Sequence, residues 1–300
     1  MARFTYRLGF PIRMETRSIH EKYEILSVLG SGGYGKVFKA RNRATGDFFA
    51  IKEIRMMSSE EGFPQSAIRE AKALQMLSHP NIIHIDSIIT IPKCYFVMEF
   101  CPTSLDRVIH GGKDLSIGEK ICFFQQIMQA VSFCHQNNVI HRDIKPSNIL
   151  ISKENTLKLI DFGLSRIIKS ESSNDLSNRV VTQWYRAPEL LLGSHNYSFE
   201  IDIWSCGCLL YEILTKEVLF YTEEESDVAQ INSITKICGS IPNNVMFDSK
   251  SSINSLETYL VSKGISSIPY AIDLISKMLN IDPAQRPQAT QVLSHPFFVK

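Results

Sequence analysis

Residues 141–148 read His141-Arg142-Asp143-Ile144-Lys145-Pro146-Ser147-Asn148, and three of them have side chains suited to one reaction. Asp143 can take the proton of a hydroxyl, Lys145 can neutralise a transferring phosphoryl group, and the Asn148 amide oxygen can hold a metal. Thirteen residues after Asn148, past a short Lys-Leu-Ile run, Asp161-Phe162-Gly163 offers a second metal ligand. His141 has the composition of a packed structural histidine rather than a catalyst. Upstream, Lys52 follows Ala50-Ile51 in a strand pattern, and Glu70 lies on a helix pattern from which it could reach Lys52. Arg69, about 100° round that helix, would point elsewhere.

The glycine loop Gly30-Ser31-Gly32-Gly33-Tyr34-Gly35-Lys36-Val37 fits several templates at once. It matches a dinucleotide fingerprint, a Walker-type phosphate loop and a plain hairpin turn. Val37 stands where a Walker loop needs Ser or Thr, and the residues after it read as a strand, not a helix. A glycine loop between two strands can cover a triphosphate with backbone amides because no side chain intervenes.

These residues need elements to hold them. From Tyr23 to about Phe100, short β-branched and aromatic runs alternate with turn chemistry such as Ala44-Thr45-Gly46-Asp47, which predicts strands. One helix interrupts them, opening at Pro64 and marked by Ala67, Ala71, Leu74 and Leu77. Beyond Leu105 helical spacing takes over: Ser116 and Glu119 form a capping-box pattern, and Ile121, Phe124, Met128 and Val131 mark one face. The expected fold class is α+β, a small mostly β region at 23–100 followed by a larger helical region at 101–300.

Composition narrows the classes further. With 44% hydrophobic and 21% charged residues and a net charge of +1, the 300-residue chain has no collagen-like, coiled-coil or disordered signature, and no global field to draw nucleic acid or a membrane surface. Seven cysteines, odd in number and without a Cys-x-x-Cys pair, read as reduced core thiols of an intracellular protein, nuclear or cytoplasmic. Residues 1–22, with Arg3, Arg7, Arg13 and Arg17 and no apolar signal core, read as a basic extension outside the fold.

Taken in order, the glycine loop, Lys52, Glu70, the 141–148 loop, Asp161-Phe162-Gly163 and Ala187-Pro188-Glu189 resemble a eukaryotic protein kinase from about residue 23 to 298. Within it, Pro64-Gln65-Ser66-Ala67-Ile68-Arg69-Glu70 is similar to the cyclin-binding helix motif of cyclin-dependent kinases. Val180 to Glu189 (VVTQWYRAPE) is similar to that family's segment, with Gln183 standing where Leu or Arg is usual. The resemblance implies the bilobal kinase fold, one regulatory helix in the β lobe, ATP with Mg2+, and transfer to serine or threonine followed by proline. It assigns ATP contacts to Gly30, Gly32, Gly35, Val37, Ala50, Lys52 and Asn148, with Met98 as gatekeeper and Glu99 and Cys101 as hinge. Asp143, Lys145, Lys52 and Glu70 would be catalytic, and Asn148 and Asp161 would hold the metal. Asp202 would brace the catalytic loop, and Glu189 would pair with Arg286.

Regulation follows from the same resemblance. Ser177 would be an activating phosphorylation site received by Arg69, Arg142 and Arg166, Tyr34 an inhibitory one, and a cyclin-like subunit the partner. The subgroup favoured is the one that activates other cyclin-dependent kinases or phosphorylates RNA polymerase tails. The competing class is a kinase-fold scaffold that acts by binding alone; the presence of Lys52, Glu70, Asp143, Lys145, Asn148 and Asp161 argues against it.

Overall fold

The computed structural model describes residues 12–32, 35–55, 64–91, 93–112, 114–168, 183–241 and 256–299. Contacts divide the chain into two compact units. One runs to Ser104 and takes back Leu150–Arg166; the other comprises Leu105–Ile149 and the chain from Ile167 onward.

The first unit is a six-stranded sheet with strands β1 (Arg13–Glu15), β2 (Tyr23–Gly32), β3 (Gly35–Asn42), β4 (Phe48–Ile54), β5 (Ile85–Ile89) and β6 (Tyr95–Glu99), in the order β1-β5-β6-β4-β3-β2. β1 joins β5 in parallel, and the other pairings are antiparallel. The turn between β3 and β4 is built as its residues predict: Asn42 Oδ1 accepts from the Ala44 and Thr45 amides, and Gly46 takes the positive φ of 80°. Helix α2 (Gln65–Met76) starts one residue later than expected, because Pro64, at ψ 130°, is its N-cap. Ala67, Leu74 and Leu77 are buried as their spacing requires, while Ala71 is only half-buried and Ala73 takes its place in the core. The returning segment forms β9 (Ile149–Ile151) and β10 (Leu157–Leu159), which make a small sheet with β7 (Thr103–Ser104).

Two expectations are corrected here. The stretch to residue 22 is not all outside the fold: β1 adds a strand, a short helix α1 (Ile19–Lys22) follows, and Ile19 is 1% exposed within the core formed by Tyr23, Ala40, Ile51, Ile89 and Val97. Isolated arginines masked the signal, since a three-residue strand and a four-residue helix carry no readable period. Nor does a single cut at residue 100 separate the units. Ile83 N donates to Leu159 O and Leu159 N to Asn81 O, so residues 150–166 pack with the β-rich unit.

The second unit is helical: α3 (Leu105–His110), α4 (Ile117–Gln136), α5 (Pro188–Leu191), α6 (Glu200–Thr215), α7 (Asp227–Cys238), α8 (Leu256–Ser262), α9 (Ala271–Met278) and α10 (Ala289–Leu293), with the short strand β8 (Val139–Ile140). The capping box at α4 is formed in full: Ser116 Oγ accepts from the Glu119 amide and the Glu119 carboxylate accepts from the Ser116 amide. Phe124, Met128 and Val131 are buried and Ile121 half-buried. Helix α6 is buried all round from Ile201 to Leu214, which makes it the centre of the unit. Gly207 lets α9 pack close, because a Cβ there would approach the Leu279 side chain to 2.8 Å and push it aside. Cys134, Cys206 and Cys208 are core thiols pushed well up by burial, whereas Cys122 on α4 is exposed, against expectation. No helix among the described residues is long and apolar enough to cross a membrane.

Because Ile19 is enclosed by the sheet, Ile19→Ala should destabilise the protein by about 2–5 kcal/mol. Urea unfolding followed by fluorescence checks this; a change below 0.5 kcal/mol, about what a surface substitution produces, would return residues 12–22 to the role of an appendage.

Candidate functional site

The first unit holds one group of the singled-out residues. Gly30 and Gly32 end β2, and Gly35 and Val37 open β3, so the glycine loop joins two strands and the Walker reading falls. Gly35 has φ 132°, and a Cβ there would sit 1.9 Å from the Glu53 carbonyl oxygen; only glycine fits. Ala50 and Lys52 lie on β4, where Ala50 pairs with Met98 and Lys52 with Phe96 across the sheet. Lys52 Nζ donates to both Glu70 carboxylate oxygens, at 2.9 and 2.7 Å. Burial raises the Glu70 pKa; Lys52 pulls it down and the nearby Asp161 charge pushes it up. Arg69 does point away from Lys52: its Nη1 donates to the Gly163 carbonyl at 3.0 Å, tying α2 to the Asp-Phe-Gly turn.

That turn is a single 3-10 turn, Phe162–Leu164, capped by Asp161 in the left-handed region at φ 63°. Phe162 is fully buried, and Asp161 Oδ1 accepts from the Gly163 amide at 3.4 Å. Its other carboxylate oxygen has no hydrogen-bond partner among the described residues. Met98 and Glu99 end β6. The Glu99 carboxylate is held by Lys158 Nζ at 2.9 Å and by the His84 amide at 3.1 Å, two contacts that the sequence did not disclose. Cys101 is buried and its thiol is pushed up to about 12, chiefly by burial, so it is no thiolate nucleophile.

The second unit holds the 141–148 loop, and Asp202 at the start of α6 shapes it. Asp202 Oδ2 accepts from the His141 amide and faces His135 Nε2, and Oδ1 accepts from the Arg142 amide, each at 2.9 Å. Burial alone would raise this carboxyl, but the bonds from His135 and the loop amide hold it below its ordinary value. His141 is fully buried, and its Nδ1 accepts from the Asp143 amide at 3.3 Å, which makes it the structural residue its setting predicts. Arg142 takes φ 69° and its Nη1 donates to the Tyr197 hydroxyl at 2.7 Å.

Within this loop Asp143 Oδ2 is occupied twice, by Asn148 Nδ2 at 2.7 Å and by Lys145 Nζ at 3.0 Å. Oδ1 has no partner among the described residues. Asn148 spends its NH2 group on Asp143, which leaves its carbonyl oxygen as an acceptor. Asn148 in the second unit and Asp161 in the first each present one oxygen without a partner among the described residues, the kind of ligand that Mg2+ takes.

Elsewhere in this unit, Arg286 satisfies all five N–H donors. It holds Glu189 in a fork at 2.6 and 2.9 Å and donates to the carbonyls of Asn280, Glu200 and Ile281. Sequence reasoning missed His135 and a second buried carboxylate on α6: Glu212, 1% exposed, accepts from the Tyr185 hydroxyl at 2.7 Å and faces His110 Nε2 at 3.0 Å. Their only signal was polarity at inward positions of helices, His135 on α4 and Glu212 on α6. Gln183, where the family segment has Leu or Arg, donates to Asp227 Oδ1 at 2.8 Å. Of the residues assigned to regulation, Arg69 and Arg166 belong to the first unit and Arg142 to the second. Tyr34 and Ser177 lie outside the described residues.

Asp202→Asn replaces an acceptor of three bonds by a group that must turn an NH2 toward one donor, and should cost about 1–3 kcal/mol at pH 7. The Asp202 pKa is depressed, so its contribution is present above the unfolded value of about 3.9 and fades as pH falls toward the folded one. The gap between wild type and Asp202→Asn should therefore narrow in urea titrations as pH is lowered below about 4. A gap constant from pH 7 to 3 would refute this.

The protein kinase domain family matches residues 23–298. The chain is 36% identical over 304 residues to human "Cyclin-dependent kinase 9", covering 92% of this chain and 80% of that protein. It is 35% identical over 299 residues to "Cyclin-dependent kinase 12" of Drosophila melanogaster, covering 93% of this chain but spanning only 26% of that much longer relative. A bidentate strand-Lys to helix-Glu pair, an Asp-Lys-Asn loop braced from α6 and an Asp-Phe-Gly turn, together with these matches, make the chain a member of the protein kinase family, a serine/threonine kinase of the cyclin-dependent type.

Proposed function

We propose that the chain transfers the ATP γ-phosphoryl group to Ser-Pro or Thr-Pro sites in proteins, with Mg2+ held by Asn148 and Asp161. The observation that carries this is the division of labour on Asp143: Oδ2 is fixed by Lys145 and Asn148, and Oδ1 is left to accept the substrate proton. Lys145 would meet the γ-phosphate charge as it develops, and Lys52, fixed by Glu70, the phosphates of the nucleotide. Bound Mg2+ would neutralise charge on the phosphates. Gly30, Gly32, Gly35, Val37, Ala50, Met98, Glu99 and Cys101 would contact the nucleotide. The scaffold alternative has no observation in its favour.

Proline selectivity rests on the likeness of the Val180–Glu189 segment to the family's. Proline carries no amide hydrogen that would be left without a partner beside Val181 and Arg186. A cyclin-type partner would act on α2, since Glu70 must stay inward to hold Lys52. Phosphorylation of Ser177 would add about −1.5 to −2 charge for Arg69, Arg142 and Arg166 to share. A nuclear setting and a substrate such as an RNA polymerase tail belong to the same proposal.

Asp143→Asn and Asp161→Asn should each lower kcat by about a hundredfold or more with unchanged melting, since they remove charge met in the transition state. Near wild-type turnover of either variant, measured with labelled ATP, would remove its assigned role. In the same assay a Ser-Pro peptide should be phosphorylated at least about tenfold faster than its Ser-Ala twin, and a cyclin-type subunit should raise the rate, less so for Ser177→Ala. Equal rates on the two peptides would end the proline assignment; full activity of the partner-free chain, or an undiminished Ser177→Ala, would end the regulatory one.

A further inference from the structure

Among residues assigned no catalytic, nucleotide or regulatory role, the first unit carries a second concave site. β1, the turn into α1 and the turn after β3 enclose a cavity of about 470 Å³. Four cationic side chains line it, Arg13, Arg17, Lys22 and Arg43, against two carboxylates, Glu15 and Glu21. One carboxylate is already spent: Glu15, nearly buried, receives Lys22 Nζ at 2.6 Å and lies 3.6 Å from Arg13 Nε. Arg17 and Arg43 are both exposed and neither has a carboxylate within ion-pair distance among the described residues. Arg43 is positioned rather than neutralised, because its Nε donates to the His20 carbonyl at 3.2 Å and its Nη groups remain available.

A neutral donor completes the site. Asn42 is only 8% exposed and lines the cavity, and its Oδ1 is held by the Ala44 and Thr45 amides. That fixes which way the amide faces. Its NH2 group makes no hydrogen bond to the described residues and opens to solvent at the cavity, where it can donate to a ligand. A fixed amide donor beside two unneutralised guanidinium groups is an arrangement for an oxyanion with several acceptor oxygens.

The geometry points to a phosphate-reading site at Arg17, Asn42 and Arg43 that takes a phosphorylated serine or threonine in a peptide. A phosphomonoester offers about −1.5 to −2 charge and three acceptor oxygens, enough for both guanidinium groups and the amide. The cavity has room for flanking residues besides the phosphate. The enzyme's own reaction makes phosphorylated protein, so a substrate with several target sites would present this group after its first turnover. Nucleic acid is the poorer match, since the chain carries a net charge of only +1 and would need a longer basic track.

The test is fluorescence polarisation of the full chain with a labelled phosphoserine peptide, its unphosphorylated twin, and inorganic phosphate and a single-stranded RNA as competitors. The phosphopeptide should bind at least about tenfold tighter than the twin, and its affinity should fall with salt. Arg17→Glu with Arg43→Glu should weaken it by about tenfold or more, and Asn42→Asp, which keeps the acceptor for the turn but replaces the donor, should weaken it too. Melting temperature and phosphorylation of a single-site peptide should not change in the Arg17/Arg43 variant. Equal binding of the twin, undiminished binding by either variant, or displacement by inorganic phosphate or RNA at lower concentration than by unlabelled phosphopeptide would overturn the assignment.

Discussion

The 141–148 loop depends on one buried carboxylate. The Asp143 amide is taken by His141 Nδ1, but the His141 and Arg142 amides find no acceptor in the loop, so one must come from elsewhere in the chain. Asp202 supplies it from the first turn of α6, taking two consecutive loop amides and His135. Because α6 is enclosed on every side, that carboxylate is as fixed as any atom in the unit. Arg142 can then hold a left-handed conformation that an unconstrained arginine would leave, and Asp143 is left with one carboxylate oxygen tied and one without a partner among the described residues.

Buried ion pairs elsewhere serve position more than stability. Lys52 and Glu70 form a close fork, yet Glu70 still has its carboxyl pushed up by desolvation. Such a pair returns little net folding energy and loses much when one partner is removed. It holds α2 in one orientation relative to β4, and Arg69 carries that orientation to the Asp-Phe-Gly turn through Gly163. Arg286 and Glu189 act alike in the helical unit, with every guanidinium donor used, so the stretch from Tyr185 to Glu189 is anchored at one end by Glu189 and at the other by Glu212.

How much of this could be read along the chain differs from element to element. Asp143, Lys145, Asn148, Asp161, Lys52 and Glu70 were legible because their chemistry lies in short, ordered motifs, and α2, α4 and the strands because their apolar residues repeat with a period. The capping box of α4 needed only Ser116 and Glu119, four positions of local sequence. β1 and α1 were not legible: too short for a period, they exist because β5 offers an edge and the core has room for Ile19.

Sequence alone, then, determined the fold class and the kinase family and singled out the motif residues, since those depend on residue type and local spacing. Tertiary structure decided what spacing cannot encode: that Asp202 is shared with His135, that Glu99 is held by Lys158, that residues 150–166 return to the β-rich unit, and that Asn42, Arg17 and Arg43 meet around one cavity. Each of these joins positions far apart in the chain or on separate elements. Their partners are chosen by burial and unmet hydrogen bonds, which arise only once the chain has closed on itself.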